Sequence, residues 1–180
     1  MRLIGFTGFA QSGKDTAAGF LVERGFKRYA FADVLRWSLY ELNPIIGIDE
    51  SDGFWRVQNI VDSIGWDRAK VEYTEIRQLL QRFGTEVGRT IYGENFWVEM
   101  VMSRLNEKGS YVITDARFPN EVKAIHDRGG KVFRIDRYDG KPANAHASEN
   151  VQSLLVDGVI PNNGTVEEYK RAVLSAVLGV

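Results

Sequence analysis

The chain has 180 residues, 44% hydrophobic and 26% charged, with 23 basic and 24 acidic side chains and a formal net charge of −1. That is the length of one ordinary domain able to bury its own core, and the charge balance excludes a general electrostatic attraction to nucleic acid or anionic membranes. With no cysteine there are no disulfides, no thiol catalysis and no thiolate-held metal, and two histidines are too few for a His-rich metal site. The sequence opens directly on a strand pattern and holds no run approaching membrane-helix length, so a cytoplasmic protein without a membrane partner is expected.

Leu3, Ile4, Gly5, Phe6 and Thr7 read as a first strand, and residues 8–16, GFAQSGKDT, follow it directly. Gly8, Gly13 and Lys14 have the G-x-x-x-x-G-K spacing. In it, glycines let the backbone curl until successive N–H groups face phosphate oxygens, and the lysine reaches the outer phosphates. A helix beginning at Lys14 and ending near Arg24 and Gly25 would turn its positive end toward the same anion. The alternative is a glycine-rich turn between a strand and a helix of another α/β protein. After the lysine, where a hydroxyl is usual, stands Asp15, with Thr16 next. Asp15 could ligate or orient Mg²⁺, which prefers hard oxygen ligands.

Residues 25–32 read as a second strand and residues 33–42 as a helix stopped by Asn43 and Pro44. Ala32, Asp33 and Arg36 thereby fall at the C-terminal end of a strand, the edge where open α/β sheets bind ligands. Asp33 reads equally well as a helix N-cap. Residues 44–74 are less regular: an acidic turn with Gly47, Asp49, Glu50, Asp52 and Gly53 precedes apolar positions 54, 57, 60/61 and 64, the spacing of a short amphipathic helix. The stretch is either a substrate-covering insertion or a surface excursion, and Trp55 and Trp66 either stack on a base or pack. Ile76, Leu79, Leu80, Phe83, Val87 and Ile91 mark one face of a helix over residues 74–91. Arg82, Thr85, Glu86 and Arg89 share a second face, which is either a ligand-binding face or a solvated one with i,i+4 charge pairs. Gly84 and Gly88 each cost about 1 kcal/mol relative to alanine inside such a helix, so something is expected to approach its backbone there.

Residues 94–107 read as a core helix. Residues 111–115, YVITD, form an apolar strand ending in Asp115, followed by Arg117 and a helix to about residue 128. A carboxylate at the tip of a strand beside a phosphate loop is where Mg²⁺ or its water is held. Asp115 closing a turn and Arg117 in a surface pair is the plainer alternative. Residues 131–136 read as a fourth strand, and residues 137–146 as a cation-bearing loop able to close over phosphates. His146 reads as a structural hydrogen-bonding group rather than a proton-transfer group. Residues 155–161 are a candidate fifth strand and residues 162–164 a turn. Thr165 with Glu168 makes a capping box for a last helix through Leu178.

In order and spacing, GFAQSGKDTAA at 8–18, FAD at 31–33, LLQRFGTEVGR with ENFWV between 79 and 98, TDARFPNE at 114–121, HASE at 146–149 and the closing IPNNGTVEEY resemble the phage-type deoxynucleoside monophosphate kinases of the P-loop kinase superfamily. The resemblance implies an α/β, three-layer fold with a five-stranded parallel sheet flanked by helices. It implies one domain over residues 1–180, with an acceptor-binding helical insertion at about 33–93 and a lid at about 137–148. The implied reaction carries the γ-phosphoryl group of ATP to a deoxynucleoside monophosphate, giving ADP and the diphosphate. Similar motifs occur in phosphomevalonate kinase and, more distantly, dephospho-coenzyme A kinase, so another phosphorylated acceptor is the alternative. A P-loop ATPase switch is disfavoured by the arginine-rich segments.

The roles implied by the resemblance divide along the chain. Gly8, Gly13, Lys14, Asp15 and Thr16 would hold the ATP phosphates and Mg²⁺, Asp115 would complete the metal environment, and Asn162, Asn163 and Gly164 would lie near adenine. Ala32, Asp33, Arg36, Arg82, Thr85, Glu86, Arg89 and Arg117 would line the acceptor pocket. Lys14, Arg117 and Arg137 would be the catalytic cations, Arg137 from the lid. ATP and Mg²⁺ are the implied cofactors. The partners are small molecules with no nucleic acid, a homodimer is left open, and a viral source would place the protein in host cytoplasm.

Overall fold

Short apolar strands, most of them followed by a helix, assemble in the computed structural model into a parallel sheet with helices on both faces. The model describes residues 1–48, 53–138 and 151–180. The elements in chain order are β1 (Arg2–Thr7), α1 (Lys14–Val22), β2 (Lys27–Tyr29), α2 (Phe31–Leu42), β3 (Ile45–Ile48), β4 (Phe54–Arg56), α3 (Val57–Glu72), α4 (Thr74–Arg82), a π-helical stretch Phe83–Ile91, α5 (Phe96–Met102), β5 (Ser110–Ile113), α6 (Pro119–His126), β6 (Lys131–Asp136), β7 (Gly158–Pro161) and α7 (Val166–Leu178). Five strands form the expected sheet in the order β2-β5-β1-β6-β7, every neighbouring pair parallel. Strand β1 is central and buried on both faces, which is why it reads as a continuous apolar run rather than an alternation.

Register decides which helices cover which face. Ile4 lies beside Val112, Phe6 beside Phe133 and Ile135 beside Ile160. That face packs against Ala17, Phe20 and Leu21 of α1 and Tyr169, Val173 and Leu174 of α7. On the other face, Ile125 of α6 and Val132 close around Gly5.

The chain divides into two compact units, one of Met1–Phe31 with Val98–Val180 and one of Ala32–Trp97. The first holds the five-stranded sheet. The second has its own core, in which Leu39, Val57, Ala69 and Ile76 are buried with Ile60, Trp66 and Tyr73 packed against them. Trp66 is therefore a packing residue, and Trp55 lies edge-on to Tyr73 at 5.7 Å.

Several expected boundaries shift, each for a local reason. Strand β2 ends at Tyr29, and α2 starts at Phe31, whose N–H the Asp115 carboxylate accepts at 2.7 Å, so Ala32 stands in a helical turn rather than on a strand and Asp33 lies inside the first turn rather than at its cap. Phe54–Arg56 is not the start of a helix. It pairs antiparallel with Ile45–Ile48 in a hairpin, and the helix runs from Val57 to Glu72 with a break at Gly65. Short apolar runs of this kind fit either period. The core helix expected at 94–107 is confined to Phe96–Met102, and the last strand to Gly158–Pro161. Residues 49–52 and 139–150, including the acidic turn's Asp49, Glu50 and Asp52, His146 and most of the expected lid, lie outside the described residues.

Candidate functional site

The loop of residues 8–16 links the C-terminal end of β1 to the start of α1. Gly8 and Gly13 take φ of +140° and +102°, values an L side chain resists, and Gly13 sits at the N-cap of α1. Lys14 is 8% exposed, and its ammonium folds back on the loop, donating to the carbonyls of Gly8 at 2.9 Å and Phe9 at 2.6 Å. Its Ser12 Oγ contact is longer, 3.4 Å. Asp15 is open to solvent, its side chain 79% exposed, in an ion pair with Arg28 at 3.4 Å.

Residues distant in sequence lace this loop to the far side of the sheet. Asn162, just past β7, donates from Nδ2 to the Ser12 carbonyl at 2.8 Å, while its own N–H is held by the Asp136 carbonyl. The Tyr169 hydroxyl in α7 donates to the Gly13 carbonyl at 2.9 Å. Burial pushes the Tyr169 phenol far above its ordinary range, so it remains a proton donor at every physiological pH. Arg137 Nη1 reaches the Gln11 carbonyl at 3.4 Å, and Asn163 Oδ1 accepts the Tyr138 N–H at 2.8 Å. Together these residues surround a cavity of about 600 Å³ lined by Gly13, Lys14, Asp15, Thr16, Arg137 and Asn163 among others. It offers backbone donors, two cations, a helix N-terminus, a carboxylate and a hydroxyl, the combination that receives a polyanion with its counter-cation.

Of the residues expected to bind the donor, Gly13, Lys14, Asp15, Thr16, Asn162, Asn163 and Gly164 meet at this cavity together with Arg137, expected as the lid cation; Gly8, the expected metal residue Asp115 and the expected catalytic and acceptor residue Arg117 do not line it. Asp115 stands at the end of β5 and caps α2 through Phe31. Glu121, 4% exposed, accepts the N–H groups of Arg117 and Phe118 and so fixes the turn that carries Arg117. Among the described residues no group of three or more His, Asp or Glu side chains forms a metal cluster. The cavity also takes in Gln11, Tyr138, Val166 and Tyr169, which lie within the stretches singled out in the sequence but were given no role there. Tyr169 falls at a core position of an amphipathic helix, and only its tertiary approach to Gly13 gives it a second role.

The expected acceptor residues belong to α2, α4 and the π-helical stretch of the second unit, except Arg117. Asp33 pairs with Arg36 at 3.5 Å and Arg82 with Glu86 at 3.3 Å. Thr85 and Glu86 are exposed and Arg89 half-buried. Beyond Arg82 the helix widens into the π-helical turns of Phe83–Ile91. A wider turn carries Arg89 out of the α-helical register that would align it with Arg82, correcting the shared face. The approach expected at Gly84 and Gly88 is that of Trp97: its indole N–H donates to the Gly84 carbonyl at 2.8 Å, and a Cβ at Gly88 would run into the indole ring.

The model of the deoxynucleotide monophosphate kinase family matches residues 56–173. This chain belongs to that family. It is 31% identical, over 98% of its length and 96% of the relative's, to a protein of Acanthamoeba polyphaga mimivirus provisionally named a deoxynucleotide monophosphate kinase. It is 29% identical, over 52% of its length and 41% of the relative's, to the deoxynucleotide monophosphate kinase of Escherichia phage RB69. Among solved structures it is similar to the dephospho-CoA kinase of Campylobacter jejuni, with 13% identity, coverage of 98% and 96% and a TM-score of 0.47. As a member of the family the chain is a nucleotide monophosphate kinase, a phosphotransferase with small-molecule substrates. No helix among the described residues is long and apolar enough to cross a membrane.

Proposed function

We propose that the chain transfers the γ-phosphoryl group of Mg-ATP to a deoxynucleoside monophosphate, giving ADP and a deoxynucleoside diphosphate. The observation that carries this reading is the cavity that joins Gly13, Lys14, Asp15 and Thr16 to Arg137 and Asn163. Its volume suits a nucleotide, and its donors suit a triphosphate. The triphosphate occupies the loop of residues 8–16, begun by Gly8, with the Lys14 ammonium exchanging a loop carbonyl for a phosphate oxygen. The nucleoside extends toward Asn162, Asn163 and Gly164.

Mg²⁺ is bound in such sites by one or two carboxylates together with substrate phosphates and water. The exposed Asp15 carboxylate and Thr16 hydroxyl on the cavity wall fit that demand, with Asp115 as a further ligand or a water-holding group. When bound, the ion neutralises charge on the β- and γ-phosphate oxygens.

The acceptor requires no general base. A phosphate monoester has a second pKa of about 6, so the attacking oxygen is already anionic at neutral pH. The bond from the γ-phosphorus to the β,γ-bridging oxygen breaks as the bond to the acceptor oxygen forms, and ADP leaves with the electron pair. What the protein must supply is in-line placement, cationic charge and exclusion of water. Arg89 and Arg117 hold the acceptor phosphate, Ala32, Asp33, Arg36, Arg82, Thr85 and Glu86 line its pocket, and Arg137 meets the developing charge. Residues 33–93 are read as the acceptor segment and 137–148 as a lid. The protein acts in the cytoplasm, the host's if its source is viral, without a nucleic-acid partner, and a homodimer is compatible with this chemistry.

The test is ADP formation from Mg-ATP with dAMP, dGMP, dCMP, dTMP, their ribonucleotides and phosphomevalonate, beside a reaction with no acceptor. Turnover that depends on one or more deoxynucleotides is expected. Response to phosphomevalonate alone would keep the donor site and overturn the acceptor, while equal hydrolysis without acceptor would replace the kinase reading with that of an ATPase.

A further inference from the structure

A loop that cradles an anion must keep its carbonyl oxygens away from it, and five carbonyls of residues 8–16 have identified donors. Lys14 takes those of Gly8 and Phe9, Arg137 that of Gln11, Asn162 that of Ser12, and Tyr169 together with the Ala17 N–H that of Gly13. In a planar trans peptide the C=O and N–H point in opposite directions. Drawing the Ser12 and Gly13 carbonyls toward Asn162 and Tyr169 therefore directs the N–H groups of Gly13 and Lys14 the other way. From these contacts we infer that Asn162 and Tyr169 are positioning residues for the phosphate loop, clamping the two peptides that flank Gly13 so that the loop is preformed for a triphosphate.

Three observations support a clamp rather than incidental contact. Tyr169 is 3% exposed and packs edge-on against Phe20 of α1, with ring centroids 5.8 Å apart, so its hydroxyl is aimed by a ring that cannot turn away. Asn162 is fixed from both ends, by its N–H to the Asp136 carbonyl and its amide to Ser12. Gly13 is where the clamp closes: a Cβ there would run into Asn162 Nδ2 and lie 3.3 Å from the Tyr169 oxygen. The glycine of the motif is thus required for this approach as well as for its φ. The Asn162 amide then acts on the loop through the Ser12 carbonyl. The inference rests on the nucleotide reading of the cavity, though not on which acceptor is used.

The experiment is calorimetric titration of the wild-type protein, Tyr169→Phe and Asn162→Ala with Mg-ATP and with inorganic triphosphate in Mg²⁺, each variant first checked by its unfolding midpoint. Tyr169→Phe keeps the ring and removes only the donor. Both variants are expected to weaken ATP and inorganic triphosphate alike, by about three- to tenfold for a lost neutral hydrogen bond, with KM for the acceptor unchanged. Loss of ATP affinity in Asn162→Ala with triphosphate affinity intact would identify a base contact and overturn the clamp. Wild-type affinity for both ligands in Tyr169→Phe would also overturn it. Wild-type protein that binds both ligands but transfers to no acceptor would sink the kinase reading and leave the clamp; binding of neither would sink both.

Discussion

Lys14 has two tasks that a single substitution separates. Its ammonium ties together the carbonyls of Gly8 and Phe9, and in the proposed reaction it carries charge to the transferring phosphates. Lys14→Ala is expected to lower kcat by at least about a hundredfold, the scale of removing one preorganised charge-stabilising donor, while circular dichroism shows an intact fold. A coupled ADP assay reads the first and a thermal melt the second; unchanged turnover would remove Lys14 from the chemistry. A second residue-scale expectation concerns acid stability. Burial alone would raise the Asp157 carboxyl, but the Val132 N–H, His126 and Lys131 hold it below the usual carboxylate range. Because its folded pKa is depressed, the stability it contributes is present above the unfolded value of about 3.9 and is lost as the pH falls through the folded value. Asp157→Asn should flatten the decline in urea midpoint below about pH 4 and leave that part of the curve otherwise smooth; an unchanged acid limb would contradict the assignment. Legibility at this scale followed locality. Gly13, Lys14, Asp15 and Thr16 are adjacent, so their spacing alone marked them. Tyr169 lies in the last helix, and no local pattern connects its hydroxyl to Gly13.

At the scale of elements, the most informative departure is the π-helical stretch Phe83–Ile91. Two glycines four apart were legible as a place of close approach, and Trp97 fills it. The widening was not legible, because an apolar spacing of three and four reads as an α-helix, and the Trp97 indole N–H that bonds the Gly84 carbonyl comes from a later helix. Trp97 is 6% exposed and also packs on Phe83 and Phe96, at 5.8 and 4.8 Å between ring centroids. Gly88→Ala should therefore destabilise the protein by about 1–3 kcal/mol through overpacking, despite alanine's higher helix propensity. Trp97→Phe, which keeps an aromatic ring and deletes the donor, should cost about 1 kcal/mol. Urea unfolding measures both, and a stabilised Gly88→Ala would mean that the indole does not sit against this backbone. The hairpin of Ile45–Ile48 with Phe54–Arg56 was missed for a related reason. Positions 54, 57, 60 and 64 satisfy a helical period, and only pairing with a partner strand distinguishes the first of them.

For the whole molecule, the strand order follows the rules for parallel α/β sheets, in which parallel neighbours need a long crossover, most often a helix, and cannot be joined by a tight turn. The apolar strands and intervening helical patterns therefore made the sheet legible, whereas no linker composition marks the division into Met1–Phe31 with Val98–Val180 and Ala32–Trp97, and an insertion at about 33–93 was expected from the resemblance alone. The placement of β1 also bears on how the protein is made. Of the sheet's five strands, β1 is made before the other four and is the central one, and its two neighbours are β5 at Ser110–Ile113 and β6 at Lys131–Asp136. For most of synthesis this apolar strand has no native partner, and its pairings span more than half the chain, a topology that folds slowly and leaves intermediates prone to aggregation. Chains arrested before β5 should collect in the insoluble fraction unless a holding chaperone covers the exposed β1, while chains that extend through α7, which completes the core, should stay in solution; pelleting of a truncation series checks this. Production of the enzyme then depends on how long Arg2–Thr7 can be kept from finding a neighbour on another nascent chain.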